Sequence, residues 1–139
     1  MTRKFGLGIL ALLVLGGAFF LFRSPVSAFK EQAAFKDKEQ NRIYAIVFDP
    51  GASLQAVKGH ALSLAFAAGR LTTAYFYPDY SGVPRDGVTF ADSLDQANRV
   101  IYESRGFGPW RFAFMRDAEG GIRFVDCRET PDDELCRKQ

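Results

Sequence analysis

Two aspartates each follow a stretch of sequence that is typical of a buried strand. Asp49 comes directly after residues 43–48. Asp79 follows residues 72–77 and Pro78. In open α/β sheets, ligands bind beyond the carboxyl ends of the strands, where two carboxylates could hold a divalent cation or act as an acid/base pair. Turns beside proline also select aspartate for local hydrogen bonding, and we expect that role to dominate. A small hydrolase or metal-binding enzyme that uses Asp49 and Asp79 is the alternative hypothesis.

Cys127 and Cys136 are the only cysteines, and eight residues lie between them. A ring of that size can close, and chain-entropy arguments credit it with roughly 2.5–3 kcal/mol of stability. A structural zinc site needs four closely spaced ligands, and the chain has a single histidine besides the two cysteines. We expect a disulfide, with two free thiols as the alternative, and no metal site.

His60 has no evident functional partner three or four positions away on its predicted helix. A catalytic or metal-binding histidine needs such partners, so we expect a surface or boundary residue. The chain also has no Gly-x-Ser-x-Gly motif, no phosphate-binding loop and no glycine fingerprint of a nucleotide site. The sequence therefore predicts no catalytic residue and no cofactor.

Tyrosines mark the second predicted strand and the loop after it. Tyr75 and Tyr77 share one face of the strand, and Tyr80 lies in a polar, proline-containing loop of about twelve residues, 78–89. Loops of this length in compact domains are often functional, and tyrosine is enriched at protein interfaces. Tyr77, Asp79 and Tyr80 are therefore the predicted binding residues.

The apolar pattern gives the elements that position these residues. Strands are predicted at 43–48, 72–77, 110–115 and 122–125, and helices at 54–68 and about 91–104. The order β-α-β-α-β-β predicts an α/β or α+β sandwich with a four-stranded mixed sheet and two helices. Right-handed crossovers would make the first three strands parallel if they are neighbours, with the fourth antiparallel.

An uncharged apolar segment precedes this domain. Residues 5–22 would form a helix of roughly 27 Å, close to the ~30 Å thickness of a hydrocarbon core. Residues 1–28 therefore read as an N-terminal transmembrane or signal helix. The length of the apolar core and the adjacent Arg23 favour a retained anchor, whereas Val26-Ser27-Ala28 suits cleavage and secretion.

The predicted organisation is an anchor or signal at 1–28, a polar stalk at 29–42 and a domain at 43–139. We place the domain on the non-cytoplasmic, periplasmic side because a short basic start stays in the cytoplasm and paired cysteines suit an oxidising compartment. Basic residues after the apolar segment argue the opposite way.

The charge of the chain excludes one class of partner. The first 28 residues hold three of the 18 basic side chains and no acidic one, which leaves 15 basic against 16 acidic in the rest. A domain with this balance offers no basic footprint for nucleic acid. The expected partners are the lipid bilayer, through residues 5–22, and another envelope protein. The predicted function is that of a membrane-tethered, non-enzymatic protein-binding or accessory module.

Overall fold

The computed structural model of the protein describes residues 27–104 and 109–137. The predicted membrane segment at residues 5–22 lies outside these ranges. Within them, no helix is both long and apolar enough to cross a bilayer. The elements are β1 (Phe29–Lys36), β2 (Arg42–Phe48), α1 (Leu54–Ser63), β3 (Thr72–Tyr77), α2 (Arg85–Thr89), α3 (Leu94–Glu103), β4 (Phe112–Arg116) and β5 (Ile122–Asp126).

The strands form one mixed sheet in the order β1-β2-β3-β4-β5, which makes the fold α+β. β2 and β3, joined by α1, are parallel, and every other pair of neighbours is antiparallel. The predicted mixed sheet and the antiparallel pairing of its last two strands are confirmed, but the parallel direction predicted for the strand now called β4 is wrong. The prediction of two helices is wrong as well, because Arg85–Thr89, within the predicted loop, forms α2. The described residues between β3 and β4 thus include two helices, and the chain returns to the end of the sheet that it left.

The prediction of four strands is also wrong. The predicted stalk covered residues 29–42, and its first part, Phe29–Lys36, forms β1. This strand pairs with β2 from Phe29 opposite Phe48 to Lys36 opposite Arg42, with an irregularity between Glu31 and Ala33. Its polar composition suits an edge strand, since exposed charges and bulges protect an open edge from pairing with other chains. The polar residues of β1 therefore indicate an edge strand and not a linker.

Alternating side chains of β2 divide the core between the two faces of the sheet. Ile43, Ala45 and Val47 pack with α2, α3 and the C-terminal segment. Tyr44, Ile46 and Phe48 face α1. The fold therefore has three layers, which follows from the period of two along a strand that is buried on both faces.

Two serines begin the longer helices. The hydroxyl of Ser53 accepts a hydrogen bond from the backbone N–H of Ala56 at 3.1 Å, and Ser93 does the same for Gln96. α1 is shorter than the predicted 54–68. The chain leaves the helix after Ser63, where the Tyr44 hydroxyl donates to the carbonyl of Ala65 at 3.1 Å.

The predicted disulfide between Cys127 and Cys136 is confirmed. It closes the C-terminal segment against the α3 face of the sheet, where Leu135 and Cys136 are buried. The indole Nε1 of Trp110 donates to the carbonyl of Leu135 at 3.1 Å, which adds a buried hydrogen bond to this closure.

Candidate binding surface

One end of the sheet gathers the residues that the sequence singled out. β2 and β3 both finish there, and the register places Phe29 beside Phe48 and Phe112 between Phe76 and Asp126. The start of β1, the start of β4 and the end of β5 therefore meet the two parallel strand ends. We call this end the carboxyl-end surface. It comprises residues 27–30, 49–53, 78–84, 109–111 and 126–128.

Asp49 and Asp79 both lie on this surface and are exposed. The Oδ1 atom of Asp49 accepts from the backbone N–H of Gly51 at 2.8 Å. The Oδ1 atom of Asp79 accepts from the backbone N–H of Ser81 at 2.8 Å and from the Ser81 hydroxyl. These are the local turn hydrogen bonds expected of aspartate beside proline.

The two hydrogen bonds from Ser81 lower the pKa of Asp79. A general acid requires the opposite shift, because it must hold its proton near neutral pH. Asp79 is therefore a fixed negative charge at the rim of the surface. Within residues 27–104 and 109–137, no three histidine, cysteine, aspartate or glutamate side chains gather as a possible metal site.

Tyr80 lies on the same surface, next to Asp79 in the sequence. Its side chain is 52% exposed, and it lines a shallow pocket of about 330 Å³ together with Phe48, Pro50 and both carboxylates. The Nζ atom of Lys30 lies 5.9 Å from the centre of the Tyr80 ring. The structure thus brings an accessible aromatic ring, a cation and two anions to one place.

Tyr77 has a different environment from Tyr80. Ala74 and Phe76 face α1, so Tyr75 and Tyr77 point under α3, where both are almost completely buried. Burial raises the pKa of both tyrosines. Tyr77 is consequently a core residue, and its ring packs 6.3 Å from that of Trp110.

A second cavity of about 250 Å³ lies on the other side of Asp79. Tyr77 and Trp110 belong to its walls, with Arg111 and Arg128. One guanidinium nitrogen of Arg111 is 3.3 Å from a carboxylate oxygen of Asp126. Asp79 therefore lines both cavities of the carboxyl-end surface, while Tyr77 reaches only this one.

Sequence reasoning missed Lys30, Trp110 and Arg128 as members of this surface. Lys30 was assigned to a stalk because residues 29–42 are mostly charged or amide and include no β-branched residue. No local pattern could place Trp110 or Arg128 near Asp79, because those contacts depend on the direction of β4 and β5.

His60 lies at the edge of the core, outside the carboxyl-end surface. Its ring stacks on Phe29 with centroids 4.2 Å apart and meets the edge of Phe76 at 6.2 Å. Burial lowers the pKa of His60, since the charged form loses solvation there. This packing gives the histidine a structural role.

The candidate surface thus unites Asp49, Asp79 and Tyr80 and leaves Tyr77 beneath it. No protein-family model, no curated protein and no solved structure matches this chain.

Proposed function

We propose that the chain is a membrane-tethered, extracytoplasmic binding or accessory module that engages another envelope protein and performs no catalysis. Residues 5–22 provide the tether, and the carboxyl-end surface provides the contact. The observation that carries this proposal is the half-exposed ring of Tyr80, which shares a pocket with two carboxylates that already accept hydrogen bonds within their own turns.

The surface has the composition of a protein contact. Interfaces that form and separate combine aromatic anchors with a polar rim. Here Tyr80 is the accessible aromatic residue, and Lys30, Asp49 and Asp79 surround it. The hydrogen bond from the backbone N–H of Ser81 to the Asp79 carboxylate orders the backbone on both sides of Tyr80, which reduces the backbone freedom lost on binding.

The alternative, a small hydrolase or metal-binding enzyme that uses Asp49 and Asp79, has one supporting observation. Both carboxylates line the same pocket. The lowered pKa of Asp79 opposes its use as an acid, and each carboxylate already accepts a turn hydrogen bond. Binding is therefore the better-supported function.

The test compares two exposed apolar side chains at opposite ends of the sheet. Tyr80 is 52% exposed, and Ile122, at the far end beside Arg116, is 51% exposed. The full-length tagged protein is purified from carbonate-washed membranes, and co-purifying proteins are quantified for the wild type, Tyr80→Ala and Ile122→Ala.

We expect Tyr80→Ala to weaken capture by about thirtyfold, as for a well-packed interfacial tyrosine that contributes about 2 kcal/mol. Ile122→Ala should leave capture unchanged. Both substitutions should alter the free energy of unfolding by under about 0.5 kcal/mol, because the side chains are exposed. Equal capture by all three proteins would contradict the proposal, and so would a chain that leaves the membrane in the carbonate wash.

A further inference from the structure

The path of the chain into the domain determines which end of the sheet is nearest to the tether. Residues 27 and 28 lead into β1, whose first residue, Phe29, pairs with Phe48 at the end of β2. The carbonyl of Ala28 accepts a hydrogen bond from the backbone N–H of Asp49 at 2.8 Å. The chain therefore enters the domain within the carboxyl-end surface itself.

Little chain remains between that entry point and the apolar segment. Residues 23–26 are the four residues that separate residue 22 from residue 27. Residue 27 is five steps along the chain from residue 22, so even a fully extended chain places them at most about 18 Å apart at ~3.6 Å per step. The headgroup layer on each side of a hydrocarbon core is itself about 5–8 Å thick. A tether of this length holds the entry point at the membrane surface.

We propose that the carboxyl-end surface faces the bilayer and that its partner is the membrane-adjacent, extracytoplasmic part of an integral membrane protein. This inference rests on the proposed tether and binding function. It adds the direction of the contact and the class of partner. The far end of the sheet, at Ile122, is then directed away from the membrane by the length of β3, about 20 Å at ~3.3 Å per residue.

The charges of the surface favour a protein over a lipid partner. Its segments carry three cations and three anions: Lys30, Arg111, Arg128, Asp49, Asp79 and Asp126. Attraction to anionic lipid requires clusters of about four to eight basic residues, and Arg23 in the linker adds only one. Among the exposed large apolar side chains of the described residues, Tyr80 alone belongs to the surface, with Leu54 next to its edge. Mixed charge around one aromatic ring suits a protein contact.

The orientation can be measured with the native chain. Trp110 is the only tryptophan and belongs to the carboxyl-end surface. We would reconstitute the full-length protein in phosphatidylcholine vesicles that contain dansyl-labelled phosphatidylethanolamine, and measure energy transfer from Trp110 to the labelled headgroups. The matched control is the double variant Trp110→Phe/Ile122→Trp, which moves the donor to the far end.

Transfer from Trp110 should exceed transfer from position 122 by about twofold or more, because the ends differ by a strand length of ~20 Å. Inserting twenty glycine and serine residues after Arg23 should lower the native signal. Equal transfer from both positions would overturn the orientation. The wild-type signal and its loss with the longer linker need no core substitution, so the inference stays testable if the double variant fails to fold.

The partner is identified separately, by photo-crosslinking in native membranes. The full-length chain carries p-benzoyl-phenylalanine in place of Tyr80 or, as the control, of Ile122. We expect an adduct with an integral membrane protein from position 80 only. Adducts with lipid alone, or with a soluble protein, would overturn the partner assignment. Strong energy transfer without any protein adduct would show that the orientation holds and the proposed binding function fails.

Discussion

Reduction of the Cys127–Cys136 disulfide should destabilise the domain by a predictable amount. The two cysteines are nine positions apart, so the bond closes a ring of ten residues. Loop-closure entropy for a ring of that size predicts that reduction lowers the free energy of unfolding by about 2.7 kcal/mol. The reduced unfolded chain can adopt conformations that the closed ring excludes. For a domain of this size, that loss lowers the melting temperature by about 10 °C.

The fluorescence of Trp110 reports whether the C-terminal segment stays docked after the reduction. Leu135 and Cys136 are buried, and the Trp110 indole donates to the Leu135 carbonyl. If the reduced segment leaves the core, Trp110 becomes hydrated and its emission shifts to longer wavelength. If the segment stays docked, emission is unchanged while the stability still falls, because the entropy term acts on the unfolded chain.

The assay is urea unfolding of the full-length protein in detergent, followed by the fluorescence of Trp110, with and without a phosphine reductant. The variant Cys127→Ala/Cys136→Ala is the control and should show no response to reductant. Thiol labelling after the reduction verifies that the bond was open. Equal unfolding midpoints for the oxidised and fully reduced wild type would refute the reasoning.

Two further predictions concern single side chains. The buried Tyr77 hydroxyl makes no hydrogen bond with a described residue. The Ser104 hydroxyl, which partly offsets the raised pKa of Tyr77, donates its hydrogen bond to the carbonyl of Ile101. Tyr77→Phe should therefore change the free energy of unfolding by under about 1 kcal/mol. Tyr77→Ala should cost about 3–5 kcal/mol in urea unfolding, and a small cost would mean that Tyr77 is not a core residue. His60 should make the domain less stable as the pH falls below about 6.5, since the unfolded chain then binds a proton that the folded histidine, with its lowered pKa, resists. His60→Phe should flatten that dependence between pH 7 and 5, and an unchanged slope would assign the effect to other groups.

The elements that the sequence determined are those with local causes. The apolar runs of β2 and β3, the serine caps of α1 and α3, and the Gly-Gly hairpin before β5 each depend on residues within a few positions of one another. Their boundaries could be predicted to within a few residues, except for the C-terminal end of α1. The disulfide was predictable because only two cysteines exist.

The candidate site was predictable in its residues but not in its geometry. The sequence shows that Asp49, Asp79 and Tyr80 follow strands, since each apolar strand pattern ends just before these residues. Their arrangement around one pocket depends on β2 and β3 being parallel neighbours. The burial of Tyr77 depends on α3 covering one face of β3.

Tertiary structure alone decided the rest, because the forces involved act between residues that are far apart in the sequence. β1 is polar and becomes a strand only because β2 offers its unpaired N–H and C=O groups as partners. β4 is antiparallel because the chain returns to the end of the sheet that it left. These two pairings bring Ala28, Trp110 and Arg128 to the same end of the sheet as Asp79. The carboxyl-end surface is therefore created by strand pairing and not by any local sequence pattern.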